Sequence, residues 1–331
     1  MIRRRTVRTL AAVALCSAAA VVLPMLGRAT AQPASAAPDA PREVAGDAST
    51  LRMEMRNVFL HVNAHGGLHV ATLRGEAVST TPGAVAVLDD PRSFSVRVSA
   101  GTVALGGDDL GALLNDVVFA YPNAPLRQLQ VRITDAGIVQ SGILHKGVDL
   151  RFVMAARLTL QPDGRIRIHP TRLTILGVDG GKLLRALGLH LDNMLDLRGA
   201  HGITAEGDDL LMDPIAVIPP PHVTGQVAAM RLEDAMIVLD FARTPADAEF
   251  EAAVHPDSAA HNFVYFRGGR LRFGKLEMRD TDLLIRDADE SDPFDLYLAH
   301  YAQQLTAGTS RTLPNEGLVV RMPDYHRLAA P

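Results

Sequence analysis

His61, His65 and His69 form the one suggestive metal-capable cluster in this 331-residue chain. A hairpin turn at Asn63-Ala64-His65-Gly66-Gly67 would place His61 and His69 on adjacent strands with His65 at the tip, where three imidazoles suit a divalent ion. No carboxylate stands in that turn, and exposed hairpin histidines explain the spacing equally well, so no metal is expected there. Asp287, Asp289, Ser291 and Asp292 sketch a calcium loop. Its sixth position lacks glycine, and Leu298 stands where a bidentate Glu belongs, so a solvated acidic loop is the better reading. Gly180-Gly181-Lys182 resembles the end of a phosphate loop, but Leu176 replaces the first glycine and Leu183 the magnesium-binding hydroxyl. A helix beginning at Asp179 would offer free N–H groups to an anion, and an ordinary strand-to-helix turn would look the same. Ser141-Gly142 follows Gly137 at the wrong spacing for a nucleophile elbow. Cys16 is the only cysteine, so thiol chemistry is excluded from the rest of the chain. No catalytic residue, metal or cofactor is assigned, and the chain is read as a non-enzyme.

The elements that would carry these residues are mostly strands. Leu51, Met53 and Met55 alternate with Arg52, Glu54 and Arg56, and Val58, Leu60 and Val62 continue on a shifted phase, which predicts a half-buried strand bulged near Asn57. Further strands are expected at Leu68–Leu73, Phe94–Val98, Thr102–Leu105 and Leu126–Ile133. The clearest is Val148–Gln161, with Val148, Leu150, Phe152, Met154, Ala156, Leu158 and Leu160 on one face and charged or polar residues on the other. Pro162-Asp163-Gly164 then turns the chain into a strand beginning at Ile166. Three helices interrupt this pattern. Asp108 caps a short one carrying Leu110, Leu113, Leu114, Val117 and Val118 at helical spacing. Asp179 caps a longer one to about Leu197, with Leu183, Leu184, Leu187, Leu191, Met194 and Leu195 as its stripe. Asp292-Pro293 starts a third, with Phe294, Tyr297, Leu298, Tyr301 and Leu305 along one side. The order strand, Gly66-Gly67, strand, Asp90-Pro91 recurs at Gly268-Gly269 and Asp292-Pro293, an echo that coincidence explains.

Composition fixes the setting. Arg3, Arg4, Arg5 and Arg8 precede an apolar run from Leu10 to Leu26, followed by Ala29-Thr30-Ala31 and Ala34-Ser35-Ala36. That order predicts a cleaved export signal over residues 1–37 and a periplasmic or cell-envelope destination. Residues 38–50 read as a disordered lead-in, 51–290 as one β-rich domain and 291–331 as a C-terminal helix and tail. A net charge of −4 gives no reason to expect nucleic acid. Aromatic residues are 5% of the chain and Trp is absent, so the interior must be aliphatic.

Val103-Ala104-Leu105-Gly106-Gly107-Asp108-Asp109-Leu110, Leu129-Gln130-Val131-Arg132-Ile133, Gly137 to Gly142, the turn at Pro162-Asp163-Gly164, Asp208 to Pro214 and Pro219-Pro220-Pro221 together form a recognisable pattern. Over Phe94 to Met230 the chain resembles the TULIP superfamily of tubular lipid-binding proteins, and within it the exported bacterial members that bind phospholipid. The resemblance implies an α+β, β-rich fold in which a long curved antiparallel sheet wraps an amphipathic helix, with the C-terminal helix as an addition. It also implies an apolar channel for acyl chains, lined by Leu110, Leu113, Leu114, Val117, Val148, Leu150, Phe152, Met154, Leu183, Leu184, Leu187, Leu191 and Met194. The expected partners are a lipid or other long apolar ligand, transiently a membrane surface, and an envelope protein. Pattern alone leaves a second reading open, a non-catalytic envelope scaffold whose same residues fill a solid core.

Overall fold

The computed structural model describes residues 50–180, 195–247 and 257–328. The export signal, nearly all of the lead-in and most of the predicted Asp179–Leu197 helix lie outside these residues. The described chain is dominated by antiparallel strands arranged in two open, curved sheets, with a few short helices.

The first sheet has twelve strands. Its main path runs Val227–Glu233, Met236–Phe241, Phe94–Gly106, Gly67–Ser79, Leu51–His61, Phe263–Phe273, Leu276–Asp287, Leu318–Met322 and Thr309–Thr312. Leu51, Met53, Met55 and Val58 are buried as the alternation predicts. The phase change falls at Asn57, whose φ of 48° is left-handed, a conformation that Asn tolerates better than most residues. Up to Arg56 this strand pairs with Phe263–Phe273, and from Val58 it pairs in parallel with Phe294–Leu296. Asn57 also donates a side-chain hydrogen bond to Asn262 Oδ1 at 2.7 Å, tying down the point where neighbours change.

The second sheet has seven strands, with Ile203–Glu206, Asp209–Met212, Ile166–Ile175, Asp149–Leu160, Gly137–His145 and Leu126–Thr134 along its path. Phe152, Met154, Ala156 and Leu158 point inward from Asp149–Leu160, alternating with outward Arg151, Val153 and Arg157. The return turn is closed by Gly164 at φ 84° and by Asp163 Oδ1, which accepts the Arg165 N–H. The Gly107–Leu113 helix and the π-helical turn Leu114–Val118 lie on this sheet, burying Leu110, Leu113, Leu114 and Val118.

Several expected details differ. The helix begins after Gly106, so Asp108 occupies its first turn and is not the cap. Asp179 belongs to a two-residue strand, and Leu195 to Leu197 are not helical. Asp292-Pro293 does not open a helix. Phe294 and Leu296 instead alternate into the parallel pairing with Val58 and Leu60, and a 3-10 turn at Leu298–His300 then leads into the helix Tyr301–Ala307. A local cap pattern lost there to a non-local ladder that buries both side chains. The glycine echo is not structural either. Gly66 and Gly67 close a hairpin, whereas Gly268 and Gly269 sit inside a strand at φ 72° and 54°. A Cβ on Gly269 would stand 2.6 Å from Leu51 N, so those glycines admit the backbone of the first strand.

Candidate lipid-binding site

An apolar cavity of ≈ 190 Å³ lies where the two sheets face each other. Its floor is the inner face of the first sheet: Met53 and Met55, Val70 and Leu73, Phe94 and Val96, Val103 and Leu105, with Phe266 beyond them. Alternation creates this floor, since every second residue of each strand points the same way. Leu110 and Leu113 of the short helix, with Ile166 and Met212 of the second sheet, form the opposite side. A segment from Pro214 to Pro221, carrying Ile215, Val217 and Ile218, also lines the cavity. Proline cannot donate to a ladder, so this run stays out of the sheets and is free to serve as a cover.

Polar side chains gather at one end. His61 and Tyr297 reach the cavity there among otherwise aliphatic neighbours. His61 Nε2 stands 2.5 Å from Asp295 Oδ1, and its ring packs 5.2 Å from that of Tyr297. Tyr301 lines the cavity separately from this pair: its ring packs 5.4 Å from Phe273 and its hydroxyl donates to Asp89, and burial, reinforced by that carboxylate, pushes its pKa up. His61 and Tyr297 give the cavity one hydrogen-bonding end and leave the remainder largely apolar.

Two smaller cavities, ≈ 30 and ≈ 40 Å³, lie within the second sheet. Leu110 and Leu114 line one, Phe152 and Met154 the other. The expected lining residues thus divide. Leu110 and Leu113 reach the large cavity; Leu114, Phe152 and Met154 reach only the small ones. Val117 and Leu150 are half-buried against the core of the second sheet. Val148 lines nothing: it is 61% exposed, because the strand starts only at Asp149, after a turn through Gly147 at φ 72°. Leu183, Leu184, Leu187, Leu191 and Met194 lie outside the described residues. The sequence reading missed the floor of the first sheet, although the alternation of Leu51, Met53 and Met55 carried the necessary signal.

The three histidines separate. His61 pairs with Gly67 and His69 with Phe59 across the hairpin, so the two are not cross-strand neighbours. His65 Nδ1 contacts Asp116 Oδ2 at 2.7 Å, and His69 Nε2 lies 4.0 Å from Asp109. Each imidazole answers a different carboxylate, and the hairpin gathers no common ligand set. Ser141 lies within the Gly137–His145 strand, opposite Gln130 and Val153, with no histidine paired to it.

An aliphatic cavity between curved sheets with one polar end is suited to acyl chains. Residues 40–217, more than half of the chain, match the LmeA-like phospholipid-binding family. The chain belongs to that family. No curated protein and no solved structure matches it. The family match begins well before Phe94, so it takes in the strands carrying Met53, Met55 and Val70 as well as the pattern read from motifs up to Val217. It ends at Val217, inside the proline-rich cover. Phe266, Leu296 and Tyr297, which complete the cavity, come from chain beyond the family match.

Proposed function

We propose that the protein is an exported, non-catalytic phospholipid carrier of the cell envelope that holds acyl chains in the cavity between its two sheets. The observation that carries this reading is the aliphatic lining of that cavity in a chain of a phospholipid-binding family. Each methylene removed from water contributes about 0.8 kcal/mol, so an acyl chain is held without any catalytic or charged group. His61 and Tyr297 mark the end where the polar part of the lipid would sit. Transfer then requires transient contact with a membrane surface, and an envelope partner would set the direction.

The test is mass spectrometry of organic extracts from protein purified without detergent. Phospholipid in stoichiometric amount is the expected result. A lipid-free protein that also takes up none from vesicles would replace the carrier by the scaffold with a filled core. Export is tested separately. Sequencing of the envelope-associated protein is expected to find its N-terminus between Gln32 and Pro38, and a chain that still begins at Met1 would overturn this part of the proposal.

A further inference from the structure

Beyond the cavity's polar end, the segment from Pro323 into the short helix Tyr325–Leu328 brings a second set of groups together. One carboxylate oxygen each from Asp292 and Asp324 and one ring nitrogen of His326 lie within 4.8 Å of one another. Asp324 is fully buried. Its Oδ1 accepts the Asp295 N–H at 2.9 Å, whereas its Oδ2 accepts no hydrogen bond among the described residues. Arg327 Nε forms an ion pair with that oxygen at 3.4 Å without a hydrogen bond, and its Nη2 donates to Asp289. A buried carboxylate oxygen lacking a hydrogen bond is costly and asks for an occupant.

We propose that Asp292, Asp324 and His326 bind a divalent transition-metal cation that fastens the C-terminal turn to the end of the cavity. The acidic surroundings supply the need for positive charge. Asp287 is also fully buried. A divalent ion would compensate this group of carboxylates. His326 Nδ1 is 2.8 Å from Asp295 Oδ2, which leaves Nε2 for the metal. This reproduces the carboxylate–imidazole–metal order that orients ligating histidines. Two carboxylates and one imidazole favour zinc or manganese over calcium and magnesium, which prefer oxygen alone. With ligand bonds of about 2.0–2.2 Å, zinc would draw the three atoms together by small side-chain rotations.

The consequence is local. Tyr325, between the two ligands Asp324 and His326, packs edge-on against Tyr297 at 5.0 Å and against His61 at 5.4 Å. Both of those rings line the cavity, so the ion would clamp its polar end.

Calorimetric titration of chelator-treated protein with zinc is expected to show one site per chain and a raised melting temperature. Asp292→Asn and His326→Ala change exposed side chains and should fold normally, as circular dichroism would verify. Each is expected to weaken zinc at least about tenfold, the scale of perturbing a ligand's support, and to remove its effect on melting. The paired variant His65→Ala, His69→Ala should bind zinc as the wild type does, separating this site from the hairpin histidines. A wild type that takes up no zinc overturns the proposal. So does zinc affinity unchanged in folded Asp292→Asn and His326→Ala.

Discussion

Leu239→Trp is expected to abolish lipid co-purification while raising the melting temperature. Leu239 is half-buried on Met236–Phe241, pairs with Val103 in the neighbouring strand and lines the cavity. If the space it faces is open, an indole fills volume that an acyl chain would otherwise occupy. Cavity filling commonly adds about 0.5–2 kcal/mol. At roughly 2–4 °C per kcal/mol for a domain of this general size, melting should rise by several degrees. If the interior is solid, the same substitution overpacks it and costs about 1–3 kcal/mol, so melting should fall. The two readings therefore differ in sign. The chain has no other tryptophan, so the new indole is also a reporter. Its fluorescence should be quenched by a short-chain lipid brominated on the acyl chain, which fits beside it. A lowered melting temperature, with no quenching and no lipid in the wild type, would sink the carrier.

Period two made the strands legible. Asp149–Leu160 was readable because its outer face is wet, so apolar and polar residues alternate without interruption. The Asn57 phase change was also visible, since two runs of alternation met out of step. The exchange of pairing partners behind it was not, because Asn262 and Phe294 lie more than two hundred residues away. The helix expected at Asp292-Pro293 failed for the same reason: a cap and a proline are local signals, and the ladder to Val58–Leu60 is not.

The site was legible in kind but not in place. Alternation predicts an aliphatic face for strands of both sheets, and nothing in it says which face meets empty space. The reading chose Phe152 and Met154, the most regular strand, whereas the large cavity lies over Met53, Met55 and Val96. Among the described residues, only Leu110 and Leu113, on the short helix between the sheets, belong to both. Asp324 and His326 carried no motif at all. Their approach to Asp292 depends on Leu318–Met322 pairing in parallel with Leu283–Asp287, which sets the following turn beside the acidic loop.

Phe294→Ala is expected to lower stability by about 3–5 kcal/mol, the cost of removing a fully buried ring whose surroundings collapse only partly. In melting this is roughly 10 °C. The expectation follows from where the last forty residues lie. Phe294, Leu296, Tyr301, Val320 and Met322 are all buried within the core of the first sheet. Leu318–Met322 also covers an edge of Leu276–Asp287 that would otherwise expose unpaired backbone. Ending the chain at Glu290 removes all five side chains and that strand together. Single domains have only about 5–15 kcal/mol of net stability, so this deletion should leave a protein that does not fold. Were residues 291–331 a tail appended to a complete domain, both changes would fall within about 0.5 kcal/mol of wild type, as surface changes do. A soluble chain ending at Glu290 that melts cooperatively at the wild-type temperature would overturn the expectation. Lipid content adds an independent readout, because Leu296 and Tyr297 line the cavity next to Phe294. Folded Phe294→Ala protein should therefore carry less lipid than wild type, even at temperatures well below its melting transition.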